Sequence, residues 1–443
     1  MSLHTKDVSR KPCRFAPLKL LLLLLLCALL LAAAGQQAEA KTLCVNFTGS
    51  HPCFAKIQAA VDAASNGDII FVAPGTYKED VVIGKSVSLL AIVPGAAIVD
   101  ASGLSNGIYI DGFDHPGLAT VEVSGFVVRN AVNEGILIAN ASFVTIRNNR
   151  VTGNDQGLGS NCPGIQSFEL AESFDCGEGI HLSAVDHSTF VDNTVVKNAG
   201  GILVSDDTGP THDNLISQNT VSDNPLDCGI TLASHPFSAA TPGIIHNTIS
   251  NNVSSHNGFQ EPGAGAGVGI FSAGPHGVVS GNVIIGNTLT NNGLPGVAFH
   301  SHDPFDNLND NVIVSNRISG NGADTADALT PGTTGINIFG VTPITGTIIA
   351  QNIITGEDDD IVVKTPGHVE AHLNDLLGRN TGIANLDANG NGLGTVSATE
   401  NWWGCPAGPG GKRCSTVTGP DVVFAPWLVF PEIAPAHPDG HDD

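Results

Sequence analysis

The chain of 443 residues is short of positive charge: 18 Lys+Arg stand against 42 Asp+Glu, a formal net charge of -24. A direct partnership with nucleic acid or an anionic membrane is thereby disfavoured, because both need Lys and Arg to neutralise phosphate. Charged residues make up only 14% and aromatics 5%, yet 42% are hydrophobic, which excludes a disordered chain. The 53 glycines follow no period of three, which excludes collagen. Beyond Ala34 no apolar run is long enough to span a bilayer. None of the cysteine spacings resembles a zinc site. What remains is many small turns joining short β-branched runs, the composition of an all-β repeat protein.

The N-terminus reads as an export signal. Lys6, Arg10, Lys11, Arg14 and Lys19 precede an apolar run from Leu20 to Ala34, and Ala38-Glu39-Ala40 supplies small residues for a peptidase. Cleavage is expected after Ala40, placing the mature chain in the periplasm or outside the cell. Removing the signal takes Cys13 and Cys27 with it and leaves seven cysteines in an oxidising setting. Cys44 with Cys53 and Cys405 with Cys414 each close a short loop near one end, as staples would. The pairing among Cys162, Cys176 and Cys228 stays open.

From Val121 to Ile361 one phrase returns: Gly, an aliphatic residue, any residue, another aliphatic, a polar loop, a short strand, then Asn and a second strand. It begins at Gly135, Gly179, Gly201, Gly229, Gly267, Gly296 and Gly335, at spacings of 44, 22, 28, 38, 29 and 39 residues. The Asn marks are Asn149, Asn193, Asn219, Asn247, Asn287, Asn316 and Asn352. Such a period with such short strands predicts a solenoid: an all-β, single-stranded right-handed parallel β-helix with Asn side chains stacked at a corner. Roughly ten to twelve coils ~4.8 Å apart fit between Asp68 and Asn401, a rod on the order of 50 Å long. Ile57, Ala60, Val61 and Ala64 lie at one-face helical spacing and predict a short N-terminal capping helix. The expected layout is a signal over 1–40, an N-terminal cap over 41–67, the β-helix over 68–400, a C-terminal cap over 401–434 and a disordered acidic tail over 435–443.

The stretch Phe54 to Leu90, with Ile57-Gln58-Ala59-Ala60-Val61 and Val72-Ala73-Pro74-Gly75-Thr76-Tyr77, resembles the start of pectin-lyase-like β-helix proteins. The close, Asn401-Trp402-Trp403-Gly404-Cys405 with Pro426-Trp427, resembles the end of many bacterial members, and the middle is similar to the NosD-type repeat. That superfamily includes pectate lyases, polygalacturonases, uronan epimerases, phage tailspikes and periplasmic copper-related proteins. The resemblance therefore implies carbohydrate chemistry without specifying it.

Aligning the units on their glycines without gaps places Asp206 above Ser234, Ser272 and Ser301, and Asp207 above His235 and His302. His212 and Asp213 follow Asp207, and Asp303 follows His302. Between Lys197 and Arg317 there is no Lys or Arg, while seven of the 16 histidines lie there. Carboxylates and imidazoles without a cation suit a metal, Ca2+ if oxygen dominates and a transition metal if histidine does. They also suit paired carboxylates for glycoside hydrolysis. The candidate catalytic set is Asp206, Asp207, His212 and His235; the candidate metal set is Asp207, His235, His302 and Asp303. The expected protein is a monomeric, exported β-helix binding an extended polysaccharide, acidic if a cation bridges it, with catalysis left open. The alternatives are a NosD-like copper-binding module and a non-catalytic surface or adhesion rod.

Overall fold

The computed structural model describes residues 40–431 apart from 47, 156–165, 169–176, 236–242, 261–264 and 273. The export signal, the acidic tail, and Cys162 and Cys176 lie outside the described residues.

Strands of two to seven residues wind into coils, and successive coils pair in parallel to build three long sheets. The fourteen-stranded sheet runs from Thr42–Val45 to Val422–Val423. The twelve-stranded sheet runs from Val81–Ile83 to Thr416–Thr418, and the eleven-stranded one from Gly75–Tyr77 to Asp375–Leu377. A fourth, small sheet joins Thr211–His212, Ile244–Ile245 and Val279–Ser280. The solenoid extends past both boundaries read from the sequence, since Thr42–Val45 and Val422–Val423 already pair as strands. Twelve of the fourteen strands lie between Asp68 and Asn401, and fourteen at ~4.8 Å span roughly 60 Å.

Alternation along each strand decides what faces inward. Ile146, Phe190, Ile216, Ile249, Ile284, Ile313 and Ile349 are in register one above another in the fourteen-stranded sheet, and all are buried. The twelve-stranded sheet sends in two residues per coil, such as Ile180 with Leu182 and Ile202 with Val204. The main hydrophobic core that results runs inside the coils from Val45 to Trp403. The returning glycine has a steric cause: a Cβ on Gly201 would collide with the carbonyl oxygen of Gly229 in the next coil.

Asparagine ladders hold three of the corners. In the longest, Asn149, Asn193, Asn219, Asn252, Asn287, Asn316, Asn352, Asn374 and Asn401 each pass their amide to the next. Asn247, placed in this ladder from the sequence, belongs instead to a shorter one with Asn214, Asn282 and Asn311. The two ladders are one left-handed turn and one short strand apart, which spacing alone does not separate. A third ladder runs from Asn154 through Asn198, Asn224, Asn257, Asn292 and Asn321 and ends on Glu357. The residue before each rung has positive φ, for example Asp192, Gln218 and Asn251.

At the N-terminal end, helix α1 (Ile57–Ala63) buries Ile57, Ala60 and Val61 over the first coil. Its free backbone groups are met by the coil below: Glu79 accepts the Ile57 and Gln58 N–H groups at 2.9 and 3.0 Å. Lys85 donates to the carbonyls of Val61, Asp62 and Ala64 at the other end, charges that suit both helix termini. Cys44–Cys53 and Cys405–Cys414 are bridged, one near each end. Trp403 is wholly buried at the C-terminal end and meets Phe424 edge-on at 6.5 Å.

Candidate functional site

Parallel sheets are normally covered on both faces, and the twelve-stranded sheet is. Its outward residues His181, Ser183, Leu203, Ser205, Thr231, Ala298 and Asn337 are all buried. Phe168 packs on this outer face against Tyr109 and Leu137, and Ala266 and Leu294 pack with Cys228 and Ala298. Polar side chains here are therefore held in a partly dry environment.

Strand register carries the glycine alignment through, pairing Ile202 with Ile230, Ile230 with Val268, and Val268 with Val297. It brings Asp206 to Ser234 and Asp207 to His235. Asp206 accepts a hydrogen bond from Ser234 Oγ at 2.8 Å and another from the His235 N–H at 2.7 Å. Burial pushes its pKa up, outweighing the two hydrogen bonds that oppose the shift. With both oxygens engaged and no exposure, Asp206 fixes the backbone that carries His235.

Asp207 lies beneath the imidazole. Its side chain is fully buried, with Oδ1 at 3.6 Å from His235 Nδ1, while His235 keeps 16% of its side chain exposed. Ser205 donates to Asp207 Oδ2 and lies 2.8 Å from His181 Nε2, which is itself 3.8 Å from Asp207. Ser205 is wholly buried, so this chain orders Asp207 and does not present a nucleophile. Glu134, Glu178 and His181 form a buried group continuous with it, one ligand atom of each lying within 4.8 Å of the others.

His212 does not join this cluster, a correction to the sequence grouping. It sits on the small fourth sheet, its Nδ1 at 2.8 Å from Asp213 Oδ2 and its ring 5.9 Å from that of His187. The loop between Asp207 and Thr211 turns it to another corner. Asp303 is likewise separate from Asp207 and His235: its carboxylate accepts the Phe305 N–H at 3.0 Å within its own turn. His302 stands with His300, 3.7 Å from Asp327, and His300 Nε2 lies 2.6 Å from Asp324. Burial raises the Asp324 pKa, but the bond and charge of His300 and backbone N–H groups outweigh it and the net shift is downward.

Sequence reading passed over His181, Glu178, Asp324 and Asp327. The first was within reach, since alternation puts the second residue after each repeat glycine on the outer face, and Gly179 is followed there by His181. Asp324 and Asp327 sit in an insert with no period to give their register.

Residues 102–279 match the family model described as "Right handed beta helix region". The chain is a right-handed parallel β-helix. Its fold is similar to that of the mannuronan C-5 epimerase A-module of Azotobacter vinelandii (TM-score 0.53, 16% identity, 84% of this chain and 93% of that one). It is also similar to the catalytic domain of an α-1,3-glucanase solved with tetrasaccharides (TM-score 0.57, 12% identity, 88% of this chain and 69% of that one). At these identities the likeness is one of fold. A curated relative, a "Cell surface glycoprotein" of Methanothermus fervidus, is 34% identical over 117 residues, 26% of this chain. The aligned stretch spans 17% of that relative's length. Among the described residues no helix is long and apolar enough to cross a membrane.

Proposed function

We propose that this β-helix acts outside the cytoplasm on an extended polysaccharide bound along the loops that border the outer face of the twelve-stranded sheet, with His235 as the acid–base group. The observation that carries the reading is the Asp207–His235 pair. A buried carboxylate 3.6 Å from Nδ1 orients the imidazole for proton exchange with a bound sugar. Asp206 holds the pair in place and Ser205 with His181 holds Asp207. The exported location is supported by the apolar leader, the two disulfides and the likeness to a cell surface glycoprotein. The carbohydrate class is supported by the epimerase and glucanase that share the fold. Because residues 198–316 hold no Lys or Arg, an acidic polysaccharide would be held through a divalent cation.

The test is a panel of neutral and uronic-acid polysaccharides, read for binding by calorimetry and for products as new reducing ends or as ultraviolet-absorbing unsaturated ends. His235→Ala should lower turnover by roughly 10²–10⁴-fold with binding little changed. Binding without any product leaves a glycan-binding rod, and neither binding nor product removes the reading.

A further inference from the structure

Two coils beyond His235, the same outer face carries a second cluster built from different elements. His300 and His302 come from strand Val297–Ser301 and the residue after its end. Asp324 and Asp327 come from the insert that follows Asn321. We propose that His300, His302 and Asp327 form a binding site for a first-row divalent transition-metal ion, with Asp324 as a positioning residue.

The donor geometry comes first. Asp327 Oδ2 lies 3.6 Å from His300 Nδ1 and 3.7 Å from His302 Nε2, and one ligand atom of each residue lies within 4.8 Å of the others. Tetrahedral bonds of 2.0–2.1 Å put neighbouring ligand atoms about 3.3 Å apart. The two histidine nitrogens therefore need to approach Asp327 by only a few tenths of an ångström, and a tetrahedral ion would have its fourth position open to water. Two imidazoles in a set of three select a transition ion over Ca2+, which takes oxygen.

The second observation is the shell behind the donors. Asp324 Oδ2 is 2.6 Å from His300 Nε2 and places a carboxylate behind the ring, while Nδ1 is the nitrogen nearer Asp327. A carboxylate behind a histidine in this way sets tautomer and orientation in metal sites. His300 is almost buried, and its ring meets Phe271 at 4.8 Å and Phe339 at 6.2 Å. The insert is tied down as well: Asp324 Oδ1 accepts the Asp327 N–H at 3.0 Å, and Lys364 Nζ donates to the Ala328 carbonyl at 2.6 Å. Lys364 also reaches Leu329 O and Asn389 Oδ1. The group His187, His212 and Asp213 is less enclosed: Asp186 stands behind His187 Nδ1, but two of its three members are exposed.

The experiment titrates Co2+ alone into the purified protein and reads ligand-field absorption and bound metal, so it does not depend on glycan binding. One equivalent with intense tetrahedral bands, displaced by Zn2+ and not by Ca2+, is expected. His302→Ala and Asp327→Asn, both at half-exposed positions that should fold normally, should abolish the bands. Asp324→Asn should weaken binding by roughly 10–100-fold. Asp303→Asn should change nothing. Failure to bind a stoichiometric ion, or binding that survives both His302→Ala and Asp327→Asn, overturns the proposal and leaves a plain His–Asp ion-pair network.

Discussion

Replacing Asn219 with alanine should destabilise the solenoid by about 4–6 kcal/mol. The side chain accepts from the Asn193 backbone N–H at 2.9 Å and from Asn193 Nδ2 at 3.0 Å. It donates to Phe190 O at 2.9 Å and to Asn252 Oδ1 at 3.0 Å. Truncation removes four bonds at a wholly dry corner. The partners are not equally harmed: Asn193 Nδ2 keeps Ile146 O, and Asn252 Oδ1 keeps the Asn219 N–H. The Asn193 N–H loses its acceptor outright, which costs ~1–3 kcal/mol, and each remaining loss adds about 1 kcal/mol. Asn219→Asp separates the two halves of the amide. It keeps the accepting oxygen but turns a carboxylate oxygen toward Phe190 O and Asn252 Oδ1, so its cost should shrink at acid pH, where a protonated carboxyl donates again. Urea unfolding, with exposed Thr220→Ala as a reference expected within about 0.5 kcal/mol of the parent, is the assay. A loss below about 1 kcal/mol for Asn219→Ala would refute the account of the ladder as a necessary acceptor for buried backbone.

Two further outcomes follow from the same corners. Glu357 ends the third ladder, accepting from Asn321 N–H and Nδ2 at 3.2 Å, and burial pushes its pKa up against those bonds. The folded state then holds a proton that the unfolded state releases, so stability should fall as pH rises above the ordinary Glu pKa of about 4.3. Glu357→Gln, keeping the acceptor without the charge, should flatten that part of the profile and raise the neutral-pH urea midpoint; an unchanged slope would contradict this. Gln218 is exposed with φ 57°, a conformation that costs a non-glycine residue ~1–2 kcal/mol. After the extra unfolded-state freedom of glycine, Gln218→Gly should stabilise by about 0.5–1 kcal/mol; a lower urea midpoint would count against it.

The repeat itself was legible without coordinates, because its cause is local. Aliphatic alternation, a glycine where coils touch and an asparagine after each left-handed residue repeat at short range, and register then follows by stacking. For that reason the gapless alignment placed Asp206 by Ser234 and Asp207 by His235. What those residues do was decided by tertiary packing. Ser234 and the His235 backbone occupy both oxygens of Asp206, whereas Asp207 reaches the imidazole itself. The inserts lie outside the period, so sequence spacing could not show that His212 turns to another corner, or that Asp324 and Asp327 fold back over His300. A solenoid's coils are set by near neighbours and its face is set by whatever its loops lay across it, and here the chemistry lies with the loops.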